Sequence, residues 1–218
     1  MRKTSGRRPK SRKSPAVQRA GEATPPVPLR IIGGRFRGRK LRYSGDLRTR
    51  PMKDRVREAT FNLLGPSVRS THAIDLFAGT GALGLEAISR GAARATFWER
   101  HFPTAAVIEE NIALLDVAGQ CTVLAGDTFA FFRQPADLGQ APWTVFCSPP
   151  YDYYLTHDEQ LLTLVELLFR GAPAGSLLVV EADQRFDFAR LPDAEQWDVR
   201  GYPPAVVGVY RVNKSDDD

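Results

Sequence analysis

"AIDLFAGTGALGLEA", residues 73–87, is the stretch that decides how this chain is read. It opens as a buried strand ending in Asp75-Leu76-Phe77, turns on glycines, and enters a helix near Ala82. Gly79, Gly81 and Gly84 stand at the spacing G-x-G-x-x-G, which lets a cofactor approach the backbone closely across a tight strand-to-helix turn. Asp75 shifts the reading away from a dinucleotide. A carboxylate four residues before the first glycine would repel a pyrophosphate, but it suits the cationic amino-acid tail of S-adenosylmethionine.

On either side of this turn, strands are expected at about residues 73–77, 95–99, 121–125, 143–147 and 176–180, and helices at about 82–90, 103–115 and 158–170. This alternation predicts an open, mainly parallel α/β sheet with helices on both faces. "QWDVR" and "AVVGVYRV", joined by "GYPP", read as a terminal antiparallel pair, which brings the sheet to seven strands.

Ligands of such sheets bind beyond the carboxyl ends of the strands, so the strand ends carry the candidate chemistry. Glu99 closes the second strand, 24 residues after Asp75, where an acid would grip ribose hydroxyls. Asp127 follows the third strand. It could accept from an adenine amino group, or simply cap a helix. Phe77, Ala78, Thr80, Arg100 and Thr128 flank these positions and complete the expected cofactor set with Asp75, Gly79, Gly81, Glu99 and Asp127.

The fourth strand ends in "TVFCSPPYDYY", residues 144–154. Two prolines stiffen the loop and carry no N–H, so its backbone offers acceptors without competing donors. A planar base could stack on the ring of Tyr151, the only part of that side chain expected to be needed. The base's exocyclic amino group could donate to Ser148 and to a prolyl-loop carbonyl. Aryl amines are poor nucleophiles because the nitrogen lone pair is delocalised, and acceptors placed there favour a tetrahedral nitrogen able to attack a methyl sulfonium in line. Ser148, Pro149, Pro150 and Tyr151 are therefore the candidate catalytic residues.

Charge divides the chain. Residues 1–57 hold 19 Lys and Arg against 3 acids, a balance of +16, while residues 58–218 hold 11 against 22, a balance of −11. That asymmetry predicts a basic region meeting a polyanion. Residues 1–28 have the composition of a disordered basic tail. Residues 29–65 are expected to form a basic RNA-binding extension, a hairpin followed by a helix, ahead of a catalytic domain over residues 66–218. The helix is read from "TRPMKDRVREATFNLLG", with Thr49 as N-cap, Pro51 in the first turn and Gly65 as its stop. Arg30, Arg35, Arg37, Arg39, Lys40, Arg50, Arg55 and Arg57 are the expected RNA-facing set; Arg55 and Arg57 could instead brace the helix against the core.

No run of 18 apolar residues and no secretory h-region is present, and Cys121 and Cys147 read as buried thiols of a cytoplasmic protein. No metal is expected, and the chain is read as a monomer.

Together these residues resemble the amino-group methyltransferases, whose signature is (Asp/Asn/Ser)-Pro-Pro-(Tyr/Phe). Within them the chain resembles the bacterial 16S rRNA guanine-N2 methyltransferase family, from about Arg30 to Arg211. The resemblance is carried by "RIIGGRFRGRKL", "TRPMKDRVREATFNLL", "DLFAGTGALGLEAISRGA", Glu99, "GD" at 126–127 and "SPPYDYY". It implies a Rossmann-like class I methyltransferase fold, S-adenosyl-L-methionine as cofactor, and a guanine of small-subunit rRNA, free or in an assembling 30S particle, as substrate. The family usually carries an acid where Ser148 stands. Three other readings stay open: an adenine-N6 or cytosine-N4 methyltransferase, a catalytically silent RNA-binding assembly protein, and an NAD-dependent oxidoreductase. The last does not account for Ser148–Tyr151, and the second sits poorly with an intact glycine turn.

Overall fold

In the computed structural model, residues 29–43, 45, 51–132 and 138–213 are described. They form a seven-stranded sheet in the order β3-β2-β1-β4-β5-β7-β6. The strands are β1 (His72–Asp75), β2 (Arg94–Glu99), β3 (Cys121–Ala125), β4 (Trp143–Cys147), β5 (Leu177–Asp183), β6 (Asp198–Tyr202) and β7 (Ala205–Arg211). The first five pair in parallel, and β7 runs antiparallel to both β5 and β6. β7 therefore inserts between β5 and β6, an arrangement the hairpin reading does not predict. The helices are α1 (Asp54–Leu64), α2 (Ala82–Ser89), α3 (Phe102–Leu115), α4 (Thr128–Phe131), α5 (Tyr153–Thr156) and α6 (Asp158–Gly171). Short α4 and α5 are not expected from the sequence; one turn each is too brief to leave a 3.6-residue periodicity.

Strand alternation builds the core as two layers. Phe146 and Val179 face one side, with Phe61 and Phe97. Val145, Cys147, Leu178 and Val180 face the other, under Leu164 and Leu168 of α6. Gly84 shows why glycine recurs in the turn into α2: a Cβ there would lie 2.3 Å from the Phe97 ring, so helix and strand could not pack as they do.

The basic extension belongs to the first layer. Leu29, Ile31 and Leu41 are buried, and the Phe61 ring meets Phe146 with centroids 5.5 Å apart. The sequence predicts two regular strands here. Instead one bridge, Arg30 to Lys40, closes a loop around a 3-10 turn at Gly34–Phe36. The reason is a competing acceptor: the Ile32 and Gly33 amides donate to the Glu86 carboxylate, each at 2.7 Å, and so leave the cross-strand ladder. Gly34 has φ +75°, and a Cβ there would meet the Ser89 carbonyl oxygen at 2.0 Å. The helix also starts later than expected. Pro51, Met52 and Lys53 precede α1 instead of opening it, Thr49 lies outside the described residues, and Gly65 ends the helix with φ +59°.

Candidate active site

β1 lies between β2 and β4, so chain crossovers leave in opposite directions on its two sides and open a crevice at the strands' carboxyl ends. A cavity of about 770 Å³ fills that crevice. Phe77, Ala78, Gly79, Thr80, Glu99, Arg100, Asp127 and Thr128 line it, as do all four residues Ser148–Tyr151. The structure thus brings eight residues of the expected cofactor set and the whole catalytic set into one space.

Asp75 and Gly81 are not among the lining residues. Asp75 is buried behind the glycine turn, where its Oδ2 accepts from the Gly84 amide at 3.1 Å. Direct contact between Asp75 and a cofactor tail is corrected accordingly: the carboxyl braces the start of α2. Its Oδ1 is buried without a hydrogen-bond partner, and burial, opposed by the Gly84 bond and assisted by Glu99, pushes the group up to about 7. A cation beyond the turn would relieve that carboxylate, so the residue still favours a positively charged ligand.

Glu99 is pre-aimed. Its Oε2 accepts from the Gly79 amide and its Oε1 from the His101 amide, both at 2.8 Å, which leaves further lone pairs on two adjacent oxygens for vicinal hydroxyls. Asp127 is both cap and lining residue, because its Oδ1 accepts from Phe129 N–H at 2.7 Å at the start of α4. The Thr128 hydroxyl donates to the Leu76 carbonyl and ties this loop to β1.

The local sequence reading missed an aromatic wall. Tyr153 and His157 stack at 4.4 Å, Phe129 lies parallel to His157 at 5.9 Å, and the Arg100 guanidinium sits 5.5 Å from the Tyr153 ring centre. Rings of this kind suit a planar base. The signal available in sequence is the run Tyr151, Tyr153, Tyr154, of which the local reading gives a role only to Tyr151.

Ser148–Tyr151 occupies the carboxyl end of β4, where Pro150 accepts from Tyr153 N–H at 2.9 Å and closes the turn into α5. That carbonyl is thus engaged by the backbone. The Ser148 hydroxyl donates to Glu181 Oε2, and the Tyr151 hydroxyl donates to Glu181 Oε1 at 2.9 Å. Tyr151 therefore uses more than its ring. Glu181, unassigned in the sequence, follows the apolar run Leu177–Val180 near the end of its strand. Parallel register pairs Cys147 with Val180, and the next step brings Glu181 beside Ser148. The carboxylate lines the cavity at 5% exposure, and burial pushes its pKa above the ordinary range against the Ser148 and Tyr151 bonds.

Of the expected RNA-facing set, Arg30, Arg35, Arg37, Arg39, Lys40 and Arg55 are exposed, and Arg50 lies outside the described residues. Arg35 and Arg39 reach Gln120 and the Leu114 carbonyl, whereas Arg55 reaches the Pro203 carbonyl beside the cavity. Arg57 is corrected. It is fully buried, donating to the Arg30 carbonyl at 2.6 Å and to Asp54 at 3.0 Å, because the Asp54 and Glu86 carboxylates compensate its charge inside. Lys53, outside the expected set, is exposed and lines the cavity. Among the described residues no helix is long and apolar enough to cross a membrane, and no group of three or more His, Cys, Asp or Glu could hold a metal ion.

A parallel sheet reversing at β1, a glycine turn, and a cavity at the strand ends lined by Glu99 and a Ser-Pro-Pro-Tyr loop define a class I, S-adenosyl-L-methionine-dependent methyltransferase. The chain belongs to the family described as Conserved hypothetical protein 95, whose model matches residues 29–202. It is 41% identical over 138 residues to Ribosomal RNA small subunit methyltransferase D of Escherichia coli (strain K12), covering 63% of this chain and 67% of that protein. The solved structure of yhhF from Escherichia coli superposes with a TM-score of 0.70 at 31% identity, covering 87% of this chain and all of that one. An RNA methyltransferase from Salinibacter ruber, solved in complex with S-adenosyl-L-homocysteine, shares the fold at a TM-score of 0.56 and 20% identity, over 78% of this chain and 98% of its own.

Proposed function

We propose that this methyltransferase modifies the exocyclic N2 of a guanine in small-subunit rRNA, free or in an assembling 30S particle, in the bacterial cytoplasm. The observation that carries the reading is the placement of Ser148–Tyr151 in the same cavity as Glu99 and the glycine turn. The rRNA methyltransferase D relative supports the substrate class, and the balance of +16 over residues 1–57 supports a polyanionic partner.

S-adenosyl-L-methionine, when bound, supplies an electrophilic methyl on a sulfonium. Glu99 holds ribose hydroxyls, and Phe129, Tyr153 and His157 offer faces to a planar base. Tyr151 stacks the target base, and Ser148 Oγ accepts a hydrogen bond from its amine. Pro149 and Pro150 keep these groups from wandering, which matters because even a displacement of about 1 Å costs rate. Residues 29–65 form the RNA-facing part and residues 66–218 the catalytic part, with Lys53 and Arg55 where they meet beside the cavity.

The test is mass-spectrometric mapping of small-subunit rRNA from cells with and without the protein. Loss of one N2-methylguanosine is expected. An unchanged set of N2-methylguanosines would overturn the assignment.

A further inference from the structure

We infer that Glu181 is the site's proton acceptor, working through Ser148: it holds the serine hydroxyl's hydrogen, turns that oxygen's lone pairs toward the substrate amine, and receives the proton released on methyl transfer. The inference rests on the amine-methylating reading above and adds a residue to it.

Two hydroxyl hydrogens, from Ser148 and from Tyr151 at 2.9 Å, converge on the two oxygens of one buried carboxylate. A third hydroxyl, from Tyr154, donates to the Glu181 main-chain carbonyl at 2.8 Å and steadies the strand beneath. The carboxylate is therefore held at both ends. A serine hydroxyl has one hydrogen and two lone pairs, so once the hydrogen is committed to Glu181 only acceptor character remains for the cavity. An amine that must keep its own lone pair free for attack needs such a partner.

In the transfer itself, the amine lone pair forms the N–CH3 bond while the pair of the S–CH3 bond returns to sulfur. The nitrogen, now positively charged, releases one proton to Ser148 Oγ as the serine's own hydrogen passes to Glu181 Oε2. Glu181 returns it to water after product leaves. Atoms and charge balance with no further reactant and no covalent enzyme adduct. Burial makes Glu181 a better proton acceptor than a surface carboxylate, in keeping with that role.

The experiment is single-turnover methyl transfer to a small-subunit rRNA fragment by the full chain, with Glu181→Gln made in the Ser148 protein and again in a Ser148→Asn background. An asparagine carbonyl accepts from the amine without a hydroxyl hydrogen to be held, so the two substitutions should be non-additive. Glu181→Gln is expected to slow transfer by about 100-fold or more in the Ser148 protein, the low end of one acid–base contribution, but less than about threefold in the Ser148→Asn protein. Affinity for the same fragment with S-adenosyl-L-homocysteine present should stay within about twofold of the parent. Equal losses in both backgrounds, or a rate loss matched by a loss of fragment affinity, would make Glu181 merely structural and overturn the inference. Full rate for Glu181→Gln beside an active parent overturns the inference alone, whereas a parent that methylates no RNA amine overturns the underlying reading as well.

Discussion

Arg57 Nε lies 3.8 Å from Glu86 Oε2, and both side chains are fully buried. Glu86 also accepts from Arg90 and from the Ile32 and Gly33 amides, so this pair clamps the basic extension onto α2. Removing Arg57 leaves the buried Glu86 with Arg90 as its remaining cation, so the cost should fall at the low end of the range for breaking a buried pair, about 3 kcal/mol. Arg57→Ala should therefore lower stability by that amount in chemical denaturation while the RNA salt slope of the folded fraction stays unchanged. A flatter slope at undiminished stability would return Arg57 to the RNA-facing set.

Exposed cations should behave oppositely. Arg37 and Lys40 project from the loop closed by the Arg30–Lys40 bridge. For each phosphate left unneutralised by Arg37→Glu or Lys40→Glu, the slope of log affinity against log salt should flatten by about 0.7–0.9. Fluorescence anisotropy over a salt series reads this directly, and cofactor affinity by calorimetry should not move.

Asp75 gives the stability a pH signature. Its carboxyl is pushed up to about 7 in the fold, against the ordinary 3.8 for an unfolded chain. The folded state therefore binds this proton more tightly, a contribution fully present below about pH 4 and lost as pH rises through 7. Measured against Asp75→Asn, the cofactor-free protein should lose up to roughly 4 kcal/mol between these limits. A constant difference from about pH 4.5 to about pH 7.5 would show that the carboxyl titrates normally.

Tyr151 has two functions that substitution separates. Loss of the ring in Tyr151→Ala removes a stacking contribution of about 1–3 kcal/mol and should reduce turnover efficiency roughly 10- to 100-fold. Tyr151→Phe keeps the ring but removes one of the two hydroxyls that hold Glu181. A loss of about fivefold is expected, in line with one hydrogen bond of about 1 kcal/mol. Wild-type turnover in Tyr151→Phe would show that the ring alone is used.

The strand–helix alternation, the glycine turn, Glu99 at its strand end and the Ser148–Tyr151 loop are all legible in the chain. Each rests on residues adjacent in sequence, whose period, backbone freedom and turn chemistry act over a few positions. Which charges turn inward, and what they meet there, is fixed only by the assembled fold. Glu181 is one acid in the run "LLVVEAD" until parallel pairing of β5 with β4 sets it beside Ser148, 33 residues earlier. Arg57 has the same local surroundings as the exposed Arg55, yet it is buried because Glu86 and Asp54 meet it there. Asp75 stands at the strand end as expected but faces the Gly84 amide, because the turn folds back over it. Local propensity sets where a strand or helix can form. The destination of a charged side chain depends on partners that exist only once the sheet has assembled, since burial without them is too costly.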